Sequence, residues 1–209
     1  MANLVAPFGF RPVRHTNGSA WNGQTVACLV DSGDGTAIFV GDIVKPAGSS
    51  GIAGQVVAGM DVEGMMTVIL DTSTTTGQTI LGVVTGFSVD PTNRSLKHRA
   101  ASTSRIAYVC TDPTVVYQVQ EDALVTPVAG ASVGLCAAIV NTAGNTTTGV
   151  SKQVLDSDSV NTTATLPLKI LGLSKIVGNA LNTGGAGVDT ATFDVVFNTG
   201  YLMPNIAGL

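Results

Sequence analysis

Two stretches alternate apolar and polar positions clearly enough to assign a buried face. Along Thr114–Gln120, Val115, Tyr117 and Val119 share one side, and Val116, Gln118 and Gln120 the other. Along Thr192–Asn198, Phe193, Val195 and Phe197 oppose Asp194, Val196 and Asn198. A period of two is that of a pleated strand, whose successive side chains leave on opposite faces. Shorter apolar runs bounded by turn residues predict further strands at Gly23–Val30, Thr36–Val40, Ile43–Lys45, Gly77–Val84, Ile106–Thr111, Leu135–Asn141 and Leu166–Leu173. No window of ten residues carries a period of 3.6.

Turn chemistry joins these strands. Asp112-Pro113 predicts a hairpin between Ile106–Thr111 and Thr114–Gln120, and Gly41-Asp42 allows a tight one between Thr36–Val40 and Ile43–Lys45. Asp31-Ser-Gly-Asp-Gly35 is a turn cluster. Pro167 has no N–H for a ladder and predicts an edge position for its strand. The segments 141–149, 184–187 and the run around Asp156 and Asp158 are predicted to be polar, solvated loops.

Composition strengthens the β reading. The chain of 209 residues holds 28 Val, 26 Thr and 25 Gly. Val and Thr, branched at Cβ, suit a pleated surface, and Gly supplies turns. The expected class is all-β: short antiparallel strands in a β-barrel or sandwich. Two small β-domains over 23–120 and 121–209 are expected, preceded by an extended N-terminal arm over 1–22. The arm holds Pro7, Phe8, Phe10, Arg11, Pro12, Arg14 and Trp21. Its prolines discourage helix and central strand, so its aromatics must lie either across their own domain or on a neighbouring subunit.

Charge then narrows function. Charged residues make up 11% of the chain, against about 25% in an average domain. Either Thr, Ser, Asn and Gly cover the surface, or much of it is buried in a homo-oligomer or against a larger partner. A net charge of −4 argues against a direct nucleic-acid binder. No apolar run approaches the roughly 20 residues of a membrane span, so no membrane role is expected. The opening residues lack the basic start and apolar stretch of a secretory signal. Cys28, Cys110 and Cys136 are odd in number and lie in apolar surroundings, which predicts buried free thiols.

The search for chemistry predicts no enzyme, no cofactor and no metal. The two histidines, His15 and His98, have no nucleophile elbow to serve, and both are expected on the surface. Asp156 and Asp158 are too weak a pair to argue glycoside hydrolysis, and Asp31–Gly35 lacks the oxygen spacing of a calcium loop. One cluster remains. Arg94, Lys97, Arg99 and Arg105 supply four of the ten bases in a segment without periodicity. It reads as an exposed loop and a candidate contact for an acidic partner.

The opening Pro7-Phe-Gly-Phe-Arg-Pro-Val-Arg-His15, with Asn17-Gly-Ser-Ala-Trp-Asn-Gly23, resembles a set of tailed-bacteriophage capsid decoration proteins, also called cement or head auxiliary proteins. Phe39–Val44 and Phe197-Asn198 are similar too. The resemblance implies a structural virion protein, made in the host cytoplasm, that binds the outer face of the major capsid protein shell. It also implies a homo-oligomer, with a trimer favoured. Pro7, Phe8, Phe10, Arg11, Pro12, Arg14 and Trp21 become candidate capsid or subunit contacts, and removing 1–22 is expected to abolish shell binding while the body still folds. The alternative function is a tail or head-fibre component that binds host-surface glycan through the polar loops.

Overall fold

Strand formation follows the Val/Thr pattern almost throughout, and the described residues contain no α-helix. The computed structural model describes residues 3–73, 80–122, 126–181, 190–198, 200 and 202. In chain order the strands are β1 (Arg11–His15), β2 (Val26–Val30), β3 (Ile43–Ser50), β4 (Val56–Val57), β5 (Met60–Asp61), β6 (Met66–Leu70) and β7 (Gly82–Phe87). They continue with β8 (Arg105–Cys110), β9 (Val115–Gln120), β10 (Cys136–Val140), β11 (Val154–Asn161), β12 (Leu168–Leu173) and β13 (Thr192–Phe197). The fold is all-β, as the sequence predicts.

Five strands close a barrel in the order β2-β6-β3-β7-β8. Its seam is the short parallel contact of β2 with β6, at Leu29 opposite Thr67. A second, antiparallel sheet runs β1-β9-β13-β12-β10-β11. This sheet curls back on itself. Just past β9, Glu121 bridges Leu155 of β11, and the Asp122 N–H donates to the Leu155 carbonyl at 2.9 Å. The largest hydrophobic cluster crosses the joint between the two sheets: Ile43, Val83 and Cys110 of the barrel pack in it with Tyr117, Phe193 and Phe197 of the second sheet. A smaller cluster of Leu29, Val57, Val62 and Ile106 seats the β4–β5 hairpin on the barrel wall.

Four expectations change. The segments flanking Asp112-Pro113 form no hairpin: β8 pairs with β2 and β7, while β9 pairs with β1 and β13. The Asp112 carboxylate accepts from the Thr114 N–H and hydroxyl at 2.7 Å, and the turn sends the chain into the other sheet. The chain therefore changes sheets between Cys110 and Val115, and residues 11–15 join the second sheet.

Thr36–Val40 also forms no hairpin with Ile43–Lys45. Ile38 bridges Arg99 and Val40 bridges Val150, while Asp42 Oδ2 accepts from the Phe39 N–H at 2.7 Å and closes the turn. The strand after Pro167 is central, between β13 and β10. Pro167 stands just before it and offers only its carbonyl, which accepts from Asn198 N–H at 2.7 Å. Asp156 and Asp158 lie in β11, at the sheet edge. The segment 184–187 and the start of the predicted strand Gly77–Val84 fall outside the described residues.

Candidate functional site

The N-terminal segment is tied to its own chain at successive points. The Asn3 side chain donates to the Ala180 carbonyl at 2.7 Å and accepts from its N–H at 3.2 Å. Gln120 accepts from the Ala6 N–H at 3.1 Å and donates to the Leu4 carbonyl at 2.7 Å. Gly9 has φ of +70°, and a Cβ there would stand 2.5 Å from the Ser151 side chain and 2.6 Å from the Gly41 carbonyl, so only glycine lets the backbone approach so closely. Phe10 follows, 2% exposed, its ring 5.8 Å from Phe197, which is itself 4.8 Å from Tyr117. Phe10 is thus a core residue.

Beyond Phe10 the chain becomes β1 and takes the edge of the second sheet along β9, with Arg11 opposite Gln118 and His15 opposite Val115. Pro12 is accommodated because β1 is an edge strand, with a register slip between Pro12 and Arg14. Arg14 reaches across β9 to Asp194 on β13 at 3.1 Å. His15 lies by Thr114 at 3.1 Å and Asp112 at 3.4 Å, with a largely covered side chain. The chain then folds back over the outer edge of β1, where Arg14 bridges Ala20 and the Trp21 N–H meets the Val13 carbonyl.

Five of the seven arm residues named from sequence meet in one place. Phe8, Phe10, Arg11, Pro12 and Trp21 line a cleft of about 290 Å³ against Val40, Val84 and Val150. The cleft sits where barrel and second sheet join. Arg11 is exposed, and its guanidinium carbon stands 4.5 Å from the centre of the Phe8 ring. Aromatic and arginine side chains beside an apolar floor are the composition of energetic centres in protein interfaces. Pro7 lines a neighbouring cleft of about 260 Å³ with Val5, Val140, Lys152 and Val154. Arg14 faces Asp194 and lines neither cleft.

The basic cluster divides. Arg99 is fully buried and donates to the carbonyls of Thr103 at 2.7 Å, Thr36 at 2.6 Å, Asp31 at 2.5 Å and Asp34 at 2.8 Å. Arg105 is buried and donates to Ser88 O at 2.8 Å, Leu96 O at 2.9 Å and His98 O. Both are corrections to the exposed-loop reading. The guanidinium fork satisfies carbonyls that neither barrel ladder reaches, and burial lowers the pKa of each. His98 is also buried, not a surface residue, and its pKa is lowered by burial and then by Arg105. Arg94 and Lys97 do project outward, and neither has an ion-pair partner among the described residues.

Buried carboxyls serve the backbone. Glu121 accepts from the N–H groups of Val128 at 2.8 Å and Ala191 at 2.9 Å, and burial raises its pKa. Asp42 is pushed up to about 6 by burial, against the opposing hydrogen bonds from Ser151 and Phe39. All three cysteines are buried, and burial drives Cys28 up to about 11. Among the described residues no three His, Cys, Asp or Glu side chains group as metal ligands. Comparison with protein-family models, curated proteins and solved structures returned no match.

Proposed function

We propose that this chain is a structural virion protein that binds the outer surface of a major capsid shell and cements it. The observation that carries the reading is the cleft of Phe8, Arg11, Pro12 and Trp21. It is built by the segment that resembles capsid decoration proteins, and it is held rigid by β1 and the buried Phe10. A rigid apolar cleft with an arginine at its rim suits capture of an extended capsid segment, because little freedom is lost on binding. Binding only the assembled shell stabilises it by RT ln(1 + [L]/Kd) at each site. Contacts spanning two capsid subunits add an effective-concentration gain of about 100-fold or more.

The test is co-sedimentation with assembled shells of the capsid protein encoded beside this chain. The expected result is saturable migration at a fixed ratio, with Phe8→Ala/Arg11→Ala weakening the association about tenfold or more. Protein that stays at the top of the gradient beside well-formed shells overturns the reading.

A further inference from the structure

The segment that joins β1 to β2 holds two asparagine–glycine pairs, Asn17-Gly18 and Asn22-Gly23, and no other occurs in the sequence. Such a pair can react with itself. Glycine has no Cβ to shield its nitrogen or restrict the backbone around it, so that nitrogen can attack the side-chain amide of the preceding asparagine. The reaction needs the glycine N–H free and the amide able to turn toward it. The structure treats the two pairs differently.

Asn17-Gly18 is locked in a closed turn. The Gly18 N–H donates to the His15 carbonyl at 2.9 Å, and the His15 N–H donates to the Ser19 carbonyl at 2.8 Å. Asn17 Oδ1 accepts from the Ser19 N–H at 2.9 Å and from the Ser19 hydroxyl at 2.8 Å. Both reacting groups are therefore committed. Asn22-Gly23 is open. Both residues are exposed, and nothing lies within 4 Å of where a Cβ on Gly23 would stand. The Asn22 backbone N–H donates to Gln24 Oε1 at 3.2 Å. Among the described residues, neither the Asn22 side-chain amide nor the Gly23 N–H has a hydrogen-bond partner.

We propose that Asn22 is a site of spontaneous deamidation in the folded chain, and that the turn protects Asn17. The Gly23 nitrogen bonds to Cγ of Asn22 as its proton passes to solvent. The Cγ–Nδ2 bond breaks, and the amide nitrogen takes a proton from solvent and leaves as ammonia, giving a succinimide. Water then opens the ring at either carbonyl, leaving aspartate or isoaspartate at position 22. The product adds one negative charge to a net of −4. That charge directly follows Trp21, which lines the cleft with Arg11. The proposal goes beyond the capsid reading and does not rest on it.

The test is prolonged incubation of the full chain in mildly alkaline buffer, with peptide mass spectrometry at intervals. Electron-transfer fragmentation places each gain of about 1 Da on its residue. In the folded chain position 22 should convert about tenfold or more faster than position 17, because Asn17 reacts only after its turn opens. In urea that unfolds the chain, the two rates should converge. Asn22→Gln should remove the early acidic species seen on isoelectric focusing. Its melting temperature should match the parent, since the Asn22 side chain makes no hydrogen bond. Equal rates in the folded chain, or a faster Asn17, overturn the proposal. So does a folded chain whose Asn22 stays intact. Shells play no part in this readout, so failure here and failure of capsid binding are separately visible.

Discussion

The imidazole of His98 lies nearly parallel to the ring of Phe39, with centroids 4.7 Å apart and planes 14° from parallel. Gly144 packs on the same Phe39 ring, so closely that a Cβ at this position would stand 2.3 Å from a ring atom. One aromatic side chain from the barrel thus meets both the arginine-held loop and the loop after β10. Gly144→Ala is expected to destabilise the fold by about 1–3 kcal/mol through overpacking. Urea unfolding of the variant checks this, and Phe39→Leu in the same chain should recover part of the loss.

The pH dependence of stability has two opposed parts. Asp42, raised to about 6 when folded from an ordinary value near 3.8, holds its proton more tightly folded than unfolded. Its contribution is complete below about pH 4 and is lost as pH rises through about 6. Burial raises Glu121 and Asp122 as well, with the same sign. His98, lowered from 6.5, contributes above 6.5 and loses that contribution as pH falls. Melting temperatures between pH 4 and 8 separate them. Asp42→Asn should gain up to about 3 kcal/mol over the parent at neutral pH and fall more steeply on acidification. His98→Gln should instead become more stable on acidification over the same range.

Arg99 ties four carbonyls together without any ladder. Arg99→Met removes a charged donor from four part-buried carbonyls and should cost about 3–5 kcal/mol. Arg99→Lys should recover only part, because an ammonium with three donors cannot reproduce the planar fork. The urea midpoint reads both. A midpoint unchanged in Arg99→Met would show that solvent replaces the guanidinium freely.

Phe10 makes the N-terminal segment part of the core. Phe10→Ala is expected to cost about 3–5 kcal/mol, and removal of residues 1–22 should unfold or strongly destabilise the second sheet, since β9 loses β1 and the core loses Phe10. Near-ultraviolet circular dichroism and thermal melting of the truncated chain check this. A truncated chain that melts like the parent would instead support a body that folds without the segment.

Much of the strand content was legible because Val, Thr and Phe recur with the pleat. β9 and β13 are placed correctly by alternation alone, and Phe193, Val195 and Phe197 face the core as expected. What escaped was pairing. Nothing in the local pattern distinguishes a turn that returns a strand along its neighbour from one that sends it to another sheet, so β8 and β9 read as a hairpin. Arg99, Arg105 and His98 escaped for another reason: charge and missing periodicity signal solvent, whereas a guanidinium enclosed by carbonyls is a property of where distant loops meet. β1 escaped because Pro7 and Pro12 argue against strand, yet an edge strand with a register slip accommodates Pro12. The cleft itself was half legible, since the aromatics and Arg11 were singled out while their shared location was not.

The register of β1 sets an order of assembly. Arg11–His15 lies on β9, some hundred positions later in the chain, and β9 in turn lies on β13, which ends at Phe197. The barrel of β2, β3, β6, β7 and β8 is complete once Cys110 has been made. On a ribosome adding about 5–20 residues per second, the barrel has seconds to close while Phe10 and its neighbours wait for a sheet that does not yet exist. Residues made before the barrel thus reach their place after it, and the cleft they line is finished only once β9 and β13 have been made.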